Sequence, residues 1–344
     1  MKAIRFHAQG AAEVLQWEEA PDPVAGPGEV LTRLHAASVN RLDLWVRSTL
    51  PGIALPHIPG SDGAGEVVAV GARVTTPQVG DRVVIYPGLF CGECESCLRG
   101  EQSTCRTFRL VGRHTDGTYA ELIAVPARNA CVLPEALSYR HAAALPVTFL
   151  TAWHMLISRA ALRAGETVLI VGASGGLGSA GVQIAKLAGA LVIAVAGGEE
   201  KAAKLRALGA DHVIDHRTQR ISEEAKRLTA GRGADVAFEH VGPATFEESL
   251  RSLTPGGRLV IAGATTGPVA SFTIRDFYTP QLSILGSMSG TPREFGEVLR
   301  LAAAEKLAPV IDRVLPLSQA VEAQRALEAG EVFGKIVLTP DADG

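Results

Sequence analysis

The 344-residue chain is 47% hydrophobic and 20% charged, with a net charge of −3. It is too long for one ordinary core and too apolar for a disordered protein. Its charge gives no footprint for nucleic acid or an anionic membrane, and no apolar run nears the roughly 20 residues that span a bilayer. Met1-Lys-Ala-Ile-Arg-Phe6 reads directly as a strand without a signal peptide, which sets the expectation of a cytoplasmic protein with reduced cysteines.

Up to about residue 130 the chain reads as β-rich. Short runs (Ile4 to Phe6, Val30 to Leu34, Gly65 to Val70, Arg82 to Tyr86, Tyr119 to Val125) are separated by Pro/Gly punctuation, which points to a coiled antiparallel barrel. Inside this region stands Cys91-Gly-Glu-Cys94-Glu-Ser-Cys97-Leu-Arg-Gly-Glu-Gln-Ser-Thr-Cys105. Two-residue gaps let thiolates converge on one ion, and four sulfurs make a closed tetrahedral zinc site with no open position for substrate. Free cysteines and iron–sulfur ligation are the alternatives. Cys131 reads as a small core residue.

From Ser138 the texture changes. Tyr139 to Leu162 is helix-like apart from Pro146, and strands then alternate with helices: Val168 to Val171, Leu191 to Ala196, Val213 to Asp215, Val236 to Glu239, Gly257 to Ala262 and Leu282 to Gly286. Lys201 to Leu208 and Ile221 to Leu228 are intervening helices. This is the pattern of a doubly wound parallel sheet. The tail adds helices at Glu294 to Glu305 and Leu317 to Glu328, and a last strand at Gly334 to Leu338.

The first strand of this series runs into Gly172-Ala-Ser-Gly-Gly-Leu-Gly178, after which apolar residues fall at helical spacing. Small residues at a strand-to-helix turn let a pyrophosphate approach the backbone, and the first helical turn offers it unpaired N–H groups and a positive dipole end. Gly172, Ser174, Gly175, Gly176, Leu177 and Gly178 are therefore the candidate dinucleotide cradle. The spacing departs from G-x-G-x-x-G, because Ala173 stands where a glycine belongs.

Taken together, Gly60-Ser-Asp-Gly-Ala-Gly-Glu-Val-Val-Ala-Val-Gly71, Val79-Gly-Asp-Arg-Val83, the cysteine lobe, Gly117-Thr-Tyr-Ala-Glu121, Thr151-Ala-Trp153 and the glycine turn span essentially the whole chain. The combination resembles the medium-chain dehydrogenase/reductase superfamily of zinc alcohol dehydrogenases and quinone oxidoreductases. The resemblance implies an α/β chain in which a GroES-like β-rich substrate domain (1–150 and 289–344, zinc lobe 91–105) carries an inserted Rossmann domain (151–288), with the active site in the cleft. It implies one structural zinc per chain on Cys91, Cys94, Cys97 and Cys105. It also implies a homodimer or homotetramer, joined near Leu282 to Gly286.

Zinc alcohol dehydrogenases hold a second, catalytic zinc through a Cys, the His of a Gly-His-Glu motif, and a further Cys or equivalent. The matching positions here are Asn40, Ser61 and Val147, a poor ligand set. His35, His57 and Asp62 are candidates for an improvised site, with a role in a turn or on the surface as the plainer alternative for each. Hydride addition to a quinone or other conjugated carbonyl spreads charge into an enolate, for which hydrogen bonds suffice. Asn40-Arg-Leu-Asp-Leu-Trp-Val-Arg47 resembles the Asn-x-x-Asp segment of the zinc-free quinone oxidoreductase branch. That likeness implies Asn40 as donor to the substrate oxygen, Asp43 as the residue orienting Asn40 or Arg47, and Trp45 as an apolar wall. A structural Asp43–Arg47 ion pair and core packing of Trp45 are the plainer alternatives.

The second Rossmann strand ends in Ala196-Gly-Gly198, small and neutral where an acid would bind the ribose hydroxyls of NAD(H). Lys201 and His216 stand nearby, which favours NADP(H). Glu199 and Glu200 keep NAD(H) open, and Lys201 also reads as a solvated helix residue. Thr151, Val241, Gly242 and Gly263 match positions that face the nicotinamide half. The expectation is an NADPH-dependent reductase of quinones or conjugated carbonyls with no nucleic-acid or membrane partner. An alcohol dehydrogenase with an atypical metal site and an NADPH-binding protein without turnover are the alternatives.

Overall fold

A computed structural model describes residues 1–340, and the chain divides into two compact units: residues 1–147 with the tail from Gly290, and Thr148–Ser289.

In the first unit, β1 (Glu29–Ser38) buries alternate residues Val30, Thr32, Leu34 and Ala36, as a half-buried strand must. It pairs antiparallel with β2 (Asp62–Val70) and β4 (Leu122–Pro126), while β3 (Arg82–Ile85) joins β2 to β5 (Ala130–Val132). Val30, Leu34, Val67, Val83, Ile85, Ile123 and Val125 form one core between them. The helix α1 (Arg41–Ser48) leaves directly from the end of β1.

The helical stretch expected over Tyr139 to Leu162 is interrupted at Pro146 as expected, and changes again after Trp153, giving Tyr139–Ala143, Pro146–Trp153 and a π-helical His154–Arg159. Pro146 has no N–H to continue the first helix and so begins the next one.

The second unit follows the expected alternation. In chain order it comprises β6 (Thr167–Ile170), α2 (Gly176–Leu187), β7 (Leu191–Ala196), α3 (Glu199–Ala207), β8 (His212–Asp215), α4 (Ile221–Leu228), β9 (Ala234–Glu239), α5 (Pro243–Arg251), β10 (Leu253–Ile261) and β11 (Ser283–Gly286). The strands form one parallel sheet in the order β8-β7-β6-β9-β10-β11. β6 and β9 are buried along their whole length, because helices cover both faces. The order reverses between β6 and β9, and that switch point at the carboxyl ends of the strands is where such sheets bind ligands.

The tail returns to the first unit with α6 (Pro292–Ala303), β12 (Ile311–Pro316), α7 (Ala320–Glu328) and β13 (Lys335–Thr339). Leu317, Ala320, Ala323, Ile336 and Leu338 share a core with Ile4, Phe6, Leu44 and Val46. Each fully buried aliphatic side chain there contributes roughly 1.5–3 kcal/mol. β13 pairs with the end of β1, setting Val337 opposite Ser38, and β12 pairs parallel to β13. The resulting sheet runs β12-β13-β1-β2-β3-β5, and its outer strands do not pair, so among the described residues it is an open sheet rather than the expected barrel. Its coiling comes from β1, which faces β4 over Glu29–Arg33 and β13 near Ser38. Among the described residues no helix is long and apolar enough to cross a membrane.

Candidate functional site

The register of β1 gathers a buried polar cluster. Ser38 lies opposite both Asp62 of β2 and Val337 of β13, so Asn40, Asp62 and Lys335 converge just past the strand end. Asp62 Oδ2 accepts hydrogen bonds from Ser38 Oγ (2.8 Å), Asn40 Nδ2 (2.8 Å) and Lys335 Nζ (3.0 Å), and its Oδ1 accepts the Val147 N–H (2.8 Å). Lys335 Nζ also donates to Val39 O (2.9 Å) and Asn40 Oδ1 (2.6 Å). Both charges are buried, at 0% and 3% exposure. Desolvating such a pair is offset only when hydrogen bonds surround both charges, and here Asp62 meets four donors and Lys335 Nζ three acceptors.

Asp43 sits beneath this cluster. Its Oδ2 accepts the Asn40 main-chain N–H (2.8 Å) and the Tyr119 hydroxyl (3.0 Å), while Oδ1 has no hydrogen-bond partner. Burial pushes its carboxyl from 3.8 up to about 7, and the neighbouring Asp62 adds to this, against the pull of the Asn40 N–H and Lys335. Asp43 thus fixes Asn40 through the main chain. It makes no ion pair with Arg47, contrary to what the four-residue spacing suggests: the Arg47 guanidinium donates to Gln324 Oε1 (2.7 Å), to Glu328 and to Gly10 O (3.2 Å), tying α1 to α7. Trp45 is half-buried on the same helix.

The three positions that match catalytic-zinc ligands also lie round Asp62. Asn40 and Val147 both touch it, and Ser61 precedes it with Oγ donating to Val111 O (2.8 Å). The improvised set does not form. His35 stacks on Tyr139, His57 Nε2 lies 3.0 Å from Gly112 O, and Asp62 is fully engaged.

In the second unit the glycine turn joins β6 to α2. Gly172 has φ +61°, and a side chain there would strike the His240 ring at 2.9 Å. At Gly178 a Cβ would lie 2.3 Å from Gly172 O. No side chain caps α2, so its first N–H groups are left for a ligand, and Ser174 to Leu177 are half-exposed beside them. Thr151 is buried on the preceding helix, and Gly263 packs against His240, where a Cβ would meet His240 O at 2.8 Å.

At the end of β7 the structure adds a residue the sequence reading missed. A Cβ at Gly197 would meet Arg217 Nε at 2.6 Å and His216 Nε2 at 3.0 Å, so a guanidinium and an imidazole cover the position where an acid would bind ribose. Asp215 shapes this turn, accepting the Arg217 N–H (2.9 Å) and the Gly198 N–H (3.1 Å). Glu199 and Glu200 are engaged elsewhere, with Arg206 (2.6 Å) and Lys204 (2.7 Å). Lys201 is half-buried in the first turn of α3.

The four sulfurs of Cys91, Cys94, Cys97 and Cys105 lie within 4.8 Å of one another. Cys91 Sγ is 3.5 Å from Cys105 Sγ and 3.9 Å from Cys97 Sγ. Tetrahedral zinc with bonds of about 2.3 Å needs sulfurs about 3.8 Å apart, so the set fits the ion. Main-chain N–H groups of Cys91 and Cys94 point at the sulfurs of Cys105 and Cys91 (both 3.4 Å), which favours thiolates. Cys131 is apart from this group, and burial pushes its thiol up to about 12.

A cavity of roughly 480 Å³ lies at the opposite end of the parallel sheet, lined by Lys226, Arg232, Arg251, Arg275 and Asp276. Lys226 and Arg251 stand in the last turns of α4 and α5, where cations complement the helix dipole.

The family model for the alcohol dehydrogenase GroES-like domain matches residues 26–135, and the zinc-binding dehydrogenase model matches 176–304. The chain belongs to the medium-chain dehydrogenase/reductase superfamily. It is 34% identical to an NAD-dependent alcohol dehydrogenase of Sulfolobus acidocaldarius, over 98% of this chain and 99% of that one. It is 33% identical to an acryloyl-coenzyme A reductase of Metallosphaera sedula (98% and 100%) and 32% identical to a quinone oxidoreductase of Pseudomonas aeruginosa (98% and 99%). A crystal structure of an NAD-dependent alcohol dehydrogenase superposes with a TM-score of 0.95 at 44% identity, covering 98% of this chain and 99% of that chain. This chain is accordingly an NAD(P)-dependent oxidoreductase of that superfamily.

Proposed function

We propose that the protein is an NADPH-dependent reductase of conjugated carbonyls (quinones, enones or unsaturated thioesters) that works without a catalytic zinc. The observation that carries this reading is the chemistry at Asn40, Ser61 and Val147. One of these side chains is a hydrocarbon, one an amide and one a hydroxyl, and the adjacent carboxylate, Asp62, has given its lone pairs to four donors. The relatives named for acryloyl-CoA and quinone reduction act on the same kind of activated double bond.

Gly172 to Gly178 would hold the pyrophosphate of a nicotinamide cofactor, which would supply the hydride. Asn40 is the donor to the substrate oxygen in this reading: one amide N–H goes to Asp62, and the second remains for an enolate. Lys335 holds the Asn40 carbonyl and Asp43 holds its main-chain N–H, so the amide is oriented from both ends. Trp45 is the apolar wall. Arg217 and His216, with Lys201 on α3, favour a 2′-phosphate and hence NADPH, because Gly197 offers no acid and no room for one. Thr151, Val241, Gly242 and Gly263 serve the nicotinamide half. Zinc on the four cysteines has a structural role.

We read the chain as a cytoplasmic homo-oligomer. None of its five cysteines is in a disulfide, and β11 is an edge strand flanked by exposed Ile274, Tyr278 and Met288, an apolar border suited to a second copy.

The second reading, an alcohol dehydrogenase with an atypical metal site, draws on the 44%-identical structure. The test is NADPH oxidation against a panel of quinones, enones and acryloyl thioesters, beside alcohol-dependent NADP⁺ and NAD⁺ reduction. Turnover with conjugated acceptors and none with alcohols is expected. Alcohol oxidation that Asp62→Ala abolishes would favour the second reading.

A further inference from the structure

Glu239, the last residue of β9, is fully buried, and its partners among the described residues are uncharged hydrogen-bond donors. Its Oε1 accepts the main-chain N–H groups of Val241 (2.6 Å) and Gly242 (2.9 Å). Its Oε2 accepts the hydroxyls of Thr245 (2.9 Å) and Ser249 (2.7 Å) on α5. A carboxylate has about four lone-pair sites, and all four are matched by donors, so both oxygens are locked between helix and turn.

The segment held in this way, His240–Gly242, follows β9 at the switch point of the sheet, where a dinucleotide's path crosses from β6. It presses against the cradle itself: at Gly172 a Cβ would meet the His240 ring at 2.9 Å and Val241 Cγ2 at 3.1 Å. From the far side Thr265 Oγ1 donates to His240 O (3.2 Å) and Thr266 Oγ1 to Val241 O (2.9 Å). His240 and Val241 nonetheless remain half-exposed.

We propose that Glu239 is a positioning residue that sets the His240–Gly242 turn for the nicotinamide half of the bound dinucleotide. It acts through the turn and touches no ligand. The proposal rests on the dinucleotide reading above, and it separates the two halves of the cofactor. The adenosine ribose is met at the end of β7, by Gly197 and Arg217 rather than by the clamped turn, so losing Glu239 falls first on the nicotinamide half.

The test measures the dissociation constants of NADPH and of 2′-phospho-ADP-ribose, which lacks nicotinamide, for the full chain and for Glu239→Ala, Glu239→Asp and Glu239→Gln. In Glu239→Ala the NADPH constant rises about tenfold, while that of the fragment stays within about twofold. Gln restores NADPH binding, because its carbonyl can take the two N–H groups while Thr245 and Ser249 turn to accept from its amide. If the Ala variant does not fold, Asp serves in its place: one methylene shorter, it cannot span both donor pairs, and it shows the same selective loss in smaller measure. Equal weakening of both ligands, unchanged NADPH binding, or a Gln variant as damaged as Ala would overturn the proposal. A wild-type chain that binds neither ligand would overturn the dinucleotide reading along with it.

Discussion

The cradle at Gly172–Gly178 and the cluster round Asp62 both assemble polar groups at the ends of strands, yet they dispose of them in opposite ways. In the cradle the first N–H groups of α2 have no side-chain cap, and at the end of the neighbouring strand β7 the guanidinium of Arg217 lies over the bare backbone of Gly197. Round Asp62, a carboxylate, an ammonium and an amide exchange hydrogen bonds until almost nothing is left over. Open donors belong where a charged ligand will arrive and supply the missing partner. Closed networks belong where the protein must hold a charge permanently without water. Asn40 and Asp43 lie on the border between the two cases, each with one polar group unused.

The strongest way to break this contrast is to fill the cradle. Gly178→Ala places a methyl 2.3 Å from Gly172 O, and NADPH binding should weaken by on the order of 100-fold in a fluorescence titration. Binding that survives would mean the turn is not the cradle. The next largest effect lies in the closed network. Lys335→Met leaves Asp62 charged and buried without its counter-ion, and should cost about 3 kcal/mol in urea unfolding, most of which Asp62→Asn added in the same chain recovers. If the double variant is no better than the single one, the two charges are not balancing each other.

Removing the open cation should have a smaller and more selective effect. Arg217→Ala is expected to raise the KM for NADPH about tenfold while leaving that for NADH within about twofold. Equal changes for both cofactors would detach Arg217 from the 2′-phosphate. A further effect, read as a function of pH, concerns Asp43. Its carboxyl is raised from 3.8 to about 7 in the folded chain, so the stabilisation from its protonated form is complete below pH 3.8 and is lost as pH rises through about 7. Asp43→Asn cannot lose a proton. The stability of wild type relative to this variant should therefore fall between about pH 4 and pH 8, and a flat difference would show that Asp43 stays ionised throughout.

The fold was legible in the sequence wherever local pattern and tertiary burial agree. Continuous apolar runs became β6 and β9, and the glycines fell at the strand-to-helix turn where φ +61° and the 2.3 Å approach require them. The cysteine spacing led directly to four converging sulfurs. The open sheet of the first unit was less legible, because a strand's partners depend on distant segments: β1 meets β13, some 300 residues later. The same distance hid Lys335 from Asp62, 273 residues away. Arg217 was missed because its contact with Gly197 runs from the end of one strand to the end of its neighbour. The cue was nonetheless present in a glycine pair followed, after the next strand, by His-Arg. Asp43 and Arg47 mislead in the other direction: their spacing fits a helical ion pair, but Asp43 is taken up by the start of its own helix and Arg47 by α7.

In the proposed reaction a hydride reaches a conjugated carbonyl without a metal at the reacting oxygen. The most direct measurement uses NADPH carrying deuterium at its transferable position, an enone acceptor, and enzyme with or without prior treatment by a chelator that spares the four-cysteine site. Mass spectrometry should find deuterium on the β-carbon of the product, at the same rate in both preparations. Deuterium on the carbonyl carbon, with turnover that disappears on chelation and returns with added zinc, would contradict it.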